Sequence, residues 1–495
     1  MKKAMKKLMA ALLAVAMVCA MAIPAFATVD ISSHTFEAYQ IFAGDLNEGT
    51  LSNVTWGSNV TNPGFLDALK AANTAYSACT DAKGVAEALS STPSLATDFA
   101  KFAAEHVTGT AVATGTGSVN LPSAGYYLIV DTTDVTDKHD AKNLSLLKVS
   151  GATTVTPQVK TDIPTLQKKV KDKNDSADTT TDWQDSADYD IGDIIPYQLT
   201  ATLGNVSNFD TYYVEFVDTM DHLTYRNITS VKVGDTTLTA GEYFFDWNDI
   251  DKKLTVSIDD VKQYGATNGS TITVEYTAIL DSDAILGSTG NPNQAYLVFS
   301  NNPNGSGYGK TAPDKNIVFT YKVVANKVDQ DNKPLPGAAF ALYKKLPVGF
   351  DPATSHITQD GDAYALVEAL NVDADGKLVS ETRTDFEWKG IDDGEYMIKE
   401  IITPAGYNSI EPIKFTVTAD HEIKADDPKL TELTGGDKFT GSVDHSTLTI
   451  EIQNRMGSTL PGTGGIGTTI FYVIGGGLMV AAAILLITKK RMENR

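Results

Sequence analysis

Through most of the chain, apolar and polar residues alternate. Thr271-Ile-Thr-Val-Glu-Tyr-Thr-Ala-Ile279, Lys253-Leu-Thr-Val-Ser-Ile258 and Thr447-Leu-Thr-Ile-Glu-Ile452 each keep a period of two. They are rich in Thr, Val, Ile and Tyr and end at Gly, Asn, Asp or Pro, which predicts half-buried strands. Many short strands with such turns predict tandem β-sandwiches of immunoglobulin-like kind. Residues 62–107 break the pattern: Phe65-Leu66 and Leu69, then Phe99 and Phe102-Ala103, recur at helical spacing. Two short helices inserted in the first module are expected there. Pro164 and Pro313 each separate one strand-like stretch from the next. The expected modules are therefore 28–161, 162–316 and 317–455.

Two apolar runs lie outside this scheme. Leu8 to Ile23 follows a four-lysine start and precedes Ala25-Phe26-Ala27. Basic, apolar and small-residue segments in that order predict a secretory signal peptide over 1–27, cleaved after Ala27. Cleavage removes Cys19 and leaves Cys79 alone, so no internal disulfide is possible. Ile470 to Thr488 is long enough to form a transmembrane helix. Lys489, Lys490 and Arg491 follow it and would hold that end in the cytoplasm.

Composition narrows the function classes. The 495 residues carry a formal charge of −22. Both ends are net basic, so the acidity belongs to the span between them. That balance excludes a nucleic-acid partner, which needs clustered Lys and Arg. The seven histidines are scattered, without His-x-x-x-His spacing, and no Gly-x-Ser-x-Gly elbow or phosphate loop is present. An enzyme is not expected, and neither is a cofactor. Asp172 to Asp175 and Asp392-Asp393 lack a full Ca²⁺-loop pattern, so they read as solvated turns and no metal is expected.

Residues 456–495 hold Leu460-Pro461-Gly462-Thr463-Gly464, the apolar run and the basic tail. In that order they resemble the cell-wall sorting signal of Gram-positive surface proteins. The resemblance implies that a sortase cysteine attacks the Thr463 carbonyl, releases the peptide from Gly464 onward and passes the acyl group to an amine. The chain would be a substrate of that chemistry.

Tyr396-Met-Ile-Lys-Glu400-Ile-Ile-Thr-Pro404-Ala-Gly406-Tyr407 resembles the E-box of collagen-adhesin B-type (CnaB-like) pilin domains. The module's opening, from Asn326-Lys327-Val328-Asp329 to Pro334-Leu-Pro-Gly-Ala-Ala-Phe340, resembles the first strands of the same family, and its last strand ends at Asn454. The resemblance implies an intramolecular isopeptide bond between Lys327 and Asn454, promoted by Glu400. The second module looks CnaA-like. Leu166, Lys168 and Val170 share one strand face, so Lys168 points inward. By the same resemblance Asp218 is its acid and Asn301 its partner, with Asn302 the neighbouring alternative.

The first module looks CnaB-like but departs from the pattern. Gly125-Tyr-Tyr-Leu-Ile-Val-Asp131 aligns with Gly394 to Glu400 and puts Asp131 at the E-box position, yet the first lysine after residue 27 is Lys70. No equivalent bond is expected. Val155-Thr-Pro-Gln-Val-Lys160 stands where pilin backbones carry their acceptor lysine. Here Gln158 follows the proline, so Lys160 is the candidate, with Lys148 and Lys138 as fallbacks.

The whole pattern resembles the major, backbone subunit of a sortase-assembled pilus, a cell-surface fibre anchored to peptidoglycan that supports adhesion. The implied partners are other copies of the chain, a class C pilin sortase, a housekeeping sortase, minor pilins and host or bacterial surface ligands. The alternative is a monomeric wall-anchored adhesin or a minor (tip or basal) pilin.

Overall fold

The computed structural model describes residues 27–159 and 161–457. Residues 1–26 of the expected leader, Lys160, the Leu460–Gly464 pentapeptide and the expected transmembrane run lie outside the described residues.

The first module is built on one five-stranded sheet. Thr35–Asn47 pairs with Thr50–Trp56, Ala113–Thr116 and Gly125–Asp131, and the last of these pairs with Leu146–Ser150. A register shift between Gln40 and Phe42 turns the strand over. Before it, Phe36 and Ala38 pack with Tyr127, Ile129 and Val155 on one face. After it, Phe42 joins Phe65, Phe99 and Tyr76 on the other. That second face is covered by α-helices, so this module has helices where a second sheet was expected. There are three: Gly64–Ala72, Ala82–Ser91 and Ala96–His106. Ala82–Ser91 was not expected because only Val85 and Leu89 punctuate an Ala- and Ser-rich stretch. Its start is fixed by Asp81, whose carboxylate accepts from Gly84 N at 2.8 Å.

The second module is a sandwich of two larger sheets. One orders Thr165–Val170, Ile194–Thr202, Thr271–Leu280, Leu223–Val233 and Thr236–Thr237. The other contains Ser186–Asp188, Asp314–Phe319, Asn291–Ser300, Val214–Met220, Lys253–Ile258 and Phe244–Asn248, with Tyr308–Lys310 beside Asn291–Ser300. In Thr271–Leu280 the alternation read from sequence becomes strict: Ile272, Val274, Tyr276, Ala278 and Leu280 are all buried. Asp314–Phe319 runs across position 316, so this module continues three residues past its expected end.

After Thr320 the chain enters Tyr321–Val328, the first strand of the third module. It lies parallel to the last strand, Thr447–Gln453, with Lys327 opposite Ile452. These two form one sheet with Asp385–Ile391 and Thr440–Ser442. The facing six-stranded sheet contains Ala339–Lys345 and Gly394–Ile402. Trp388, Phe340 and Tyr396 fill the space between them.

Candidate cross-link sites

In the third module, tertiary structure brings three sequence-predicted residues to one end of the sandwich. Lys327 is fully buried, and its ammonium donates to the carbonyls of Val328 at 2.9 Å and Ile452 at 3.1 Å. Asn454 N donates to the same Val328 carbonyl at 3.0 Å, so amine and asparagine share an acceptor. The Asn454 amide donates to Glu400 Oε1 at 2.8 Å. Glu400 Oε2 accepts from Thr403 Oγ1 at 2.9 Å and Ile410 N at 3.3 Å. Burial lowers the Lys327 pKa to about 8, against the opposing charges of Glu400 and Asp329. The neutral, nucleophilic amine is therefore more accessible here than on an ordinary exposed lysine.

The second module holds a more enclosed version. Lys168 and Asp218 are both completely buried, on strands of opposite sheets. Lys168 Nζ donates to Asp218 Oδ2 at 2.5 Å and to Tyr276 Oη at 2.8 Å. Tyr276 donates in turn to Asp218 at 2.6 Å. The Tyr197 and Tyr276 rings face the ammonium at 5.0 and 5.3 Å. Burial lowers the Lys168 pKa and raises that of Asp218, although each charge favours the other. Loss of water thus favours a neutral amine beside a neutral acid. The neighbouring Lys169 points outward and pairs with Asp185, as strand alternation predicts.

Asn301 does not join this cluster. Its amide donates to the carbonyls of Val135 at 2.8 Å and Asp140 at 3.1 Å, tying the first module to the second. Asn302 donates to Ser306 O in its own turn. The carboxamide that reaches the site is Asn293, fully buried, whose amide donates to Tyr276 Oη at 2.8 Å. Asn293 and Asn301 share strand parity, but eight residues at about 3.3 Å each separate them by roughly 26 Å. The face was right and the end was wrong. Register decides the end: Asp218 lies opposite Ala295, two residues from Asn293. Asn316, also buried, spends its amide on the carbonyls of Lys168 and Asp185. The sequence signal available was Asn291-Pro-Asn293, polar residues on the inward face of an apolar strand.

In the first module Asp131 meets a histidine. His34 Nδ1 lies 2.7 Å from Asp131 and its Nε2 lies 3.2 Å from Asp140. The ring is fully buried, and hydrogen bonds to these two carboxylates raise its pKa to about 9 despite desolvation. Burial works against ionisation of Asp131, but His34, Asn143 N and Thr133 hold its pKa below the usual carboxylate range. An ionic contact thus occupies the E-box position of this module. Lys148 and Lys138 are both exposed.

Asp392, expected in a solvated turn, is completely buried, and Asp172, Asp175 and Asp393 are half-buried. These residues lie where the second and third modules meet, so the reading as solvated turns fails.

Known proteins share this architecture. Residues 321–429 match the family model of SpaA, described as a prealbumin-like fold domain. The trypsin-resistant surface T6 protein of Streptococcus pyogenes serotype M6 is 25% identical over 421 residues, covering 68% of this chain and 70% of that protein. The solved T6 backbone pilin, described as a modular three-domain structure, superposes with a TM-score of 0.50 at 17% identity. The match covers 87% of this chain and 98% of that one. The full-length major pilin SpaD of Corynebacterium diphtheriae matches at 18% identity and a TM-score of 0.44, over 86% and 94% of the two chains. This chain is thus similar to backbone pilins of Gram-positive bacteria, with a mainly β, multi-module fold and few helices.

Proposed function

We propose that this protein is the major, repeating subunit of a covalently polymerised pilus anchored to the cell wall. The observation that carries this reading is the pair of buried Lys–acid–Asn clusters in its second and third modules. Each contains the reactants of an isopeptide bond. The Lys327 amine would attack Cγ of Asn454, the new C–N bond would replace the amide nitrogen, and ammonia would leave with a proton relayed through Glu400. Lys168, Asp218 and Asn293 would do the same, with Tyr276 as an added proton carrier. Packing supplies the high effective concentration that an amide, a poor electrophile, requires. Such bonds suit a load-bearing shaft that has one cysteine after leader removal.

Polymerisation is assigned to the C-terminal sorting signal and to Lys160 at the end of the first module. Sortase cleavage between Thr463 and Gly464 would transfer the Thr463 acyl group to Lys160 of the next copy. The transmembrane run would hold the precursor until then, and a housekeeping sortase would attach the finished fibre to peptidoglycan. The test is replacement of Lys160 by Ala: the high-molecular-weight ladder in wall extracts is expected to vanish, and a persisting ladder would sink the assignment. Immunogold label is expected along filaments; label confined to tips or bases would favour a minor pilin.

A further inference from the structure

The second and third modules meet across an acidic seam with two centres. In the first, the Lys344 ammonium lies 2.6 Å from Asp392, 2.7 Å from Asp190 and 3.4 Å from Asp175, so a cation is built in. In the second, donor atoms of Asp172, Asp188 and His421 all lie within 4.8 Å of one another. Among the described residues no lysine or arginine pairs with Asp172 or Asp188.

Asp188 is 1% exposed, and its Oδ2 has no hydrogen-bond partner. The Tyr321 hydroxyl lies close enough to this carboxyl to interact with it, but neither it nor Asp188 Oδ2 reaches a partner with full hydrogen-bond geometry. A carboxylate oxygen removed from water in this way calls for a cation or a donor.

The histidine is already oriented. Ser186 Oγ donates its only proton to the Glu422 carbonyl at 2.9 Å, so it accepts from His421 Nδ1 at 2.7 Å. With Nδ1 carrying the hydrogen, Nε2 turns to Asp172 Oδ2, 3.4 Å away. That spacing is too long for a good hydrogen bond. It matches the edge, about 3.3 Å, of a ligand tetrahedron with bonds near 2.0 Å. An outer hydrogen bond that fixes the imidazole tautomer is the usual companion of a metal-bound histidine.

We propose that Asp172, Asp188 and His421 form a divalent transition-cation site, for Zn²⁺ or Mn²⁺, that staples the second module to the third. Two carboxylates and an imidazole suit these ions better than Ca²⁺, which prefers an all-oxygen shell. Asp172 and Asp188 come from one module and His421 from the other, so the ion would bridge the junction in place of a disulfide. The site is independent of the cross-links.

The test is calorimetric titration of the full chain, stripped with EDTA, using Zn²⁺, Mn²⁺ and Ca²⁺ separately. One equivalent of Zn²⁺ or Mn²⁺ is expected, weakened at least about tenfold in Asp172→Asn and in His421→Gln. The ion should raise Tm of the parent but not of these variants, while Asp249→Asn, on an exposed turn, should bind as the parent does. Absence of saturable binding of both transition ions, binding unchanged in both variants, or Ca²⁺ binding that ignores His421→Gln would overturn the site. Should the variants misfold, X-ray absorption at the metal edge of the loaded parent decides: a shell with one imidazole supports the assignment, and an oxygen-only shell removes it.

Discussion

At the residue scale, burial acts on two basic side chains in opposite ways. Lys327 loses water without gaining a directly bonded carboxylate, so its pKa falls; His34 loses water but gains two, so its pKa rises. The consequences for stability differ in sign. Between the ordinary histidine value and about 9, the unfolded chain binds fewer protons at His34 than the folded chain does. The contribution of His34 to the first module should therefore be fully present just below pH 6.5 and be lost as pH rises through about 9. A Tm–pH profile of His34→Gln should be flatter over this window; a profile as steep as the parent's would count against the pairing. For Lys327 the unfolded chain binds more protons. In Asn454→Ala, where the lysine stays free, stability should increase as pH rises from about 8 toward the ordinary lysine value.

At the scale of strands, the Asn291–Ser300 strand and the chain just past it carry a direct comparison. Intact mass of the surface-released chain should be lower than the sequence mass by two ammonias. Asn293→Ala should restore one of them and Asn301→Ala neither; the reverse result would return the cross-link to Asn301. Asn301→Ala should instead loosen the contact between the first and second modules, because its amide bridges them. The loss of two such hydrogen bonds is worth roughly 1–3 kcal/mol. Strand existence, inward faces and the inward choice of Lys168 were all legible in the sequence, because period-two burial is a local property. The end at which a strand meets its reactive partner was not, because register depends on residues far away in the chain. The helix Ala82–Ser91 was missed for a related reason: its small residues acquire a buried face only when Phe99 and the sheet are in place.

At the scale of the molecule, the first and last strands of the third module lie side by side and parallel. A bond from Lys327 to Asn454 would close a loop of more than a hundred residues, which removes roughly 4–5 kcal/mol of unfolded-state entropy by the loop-closure estimate. It would also tie together the two strands by which tension enters and leaves the module. Glu400→Gln should therefore yield a third module that unfolds at lower temperature and is cut by trypsin, with the second module's cross-link intact. Digestion followed by mass mapping checks this; equal resistance of variant and parent would remove the mechanical role assigned to the bond.

The sequence by itself carried the β class and the acidic span between two basic-flanked ends, which follow from local periodicity and charge counting. Lys327, Glu400 and Asn454 were named by the resemblance of their motifs to a pilin family, and the structure brings them to one end of the third module. Tertiary structure alone decided that Asn293 rather than Asn301 joins the Lys168 cluster through the Tyr276 hydroxyl, that His34 answers Asp131, and that aspartates read as solvated turns are instead enclosed between modules. Each of these depends on which distant strands become neighbours and on how far water is excluded between them, and neither quantity is carried by any one stretch of chain.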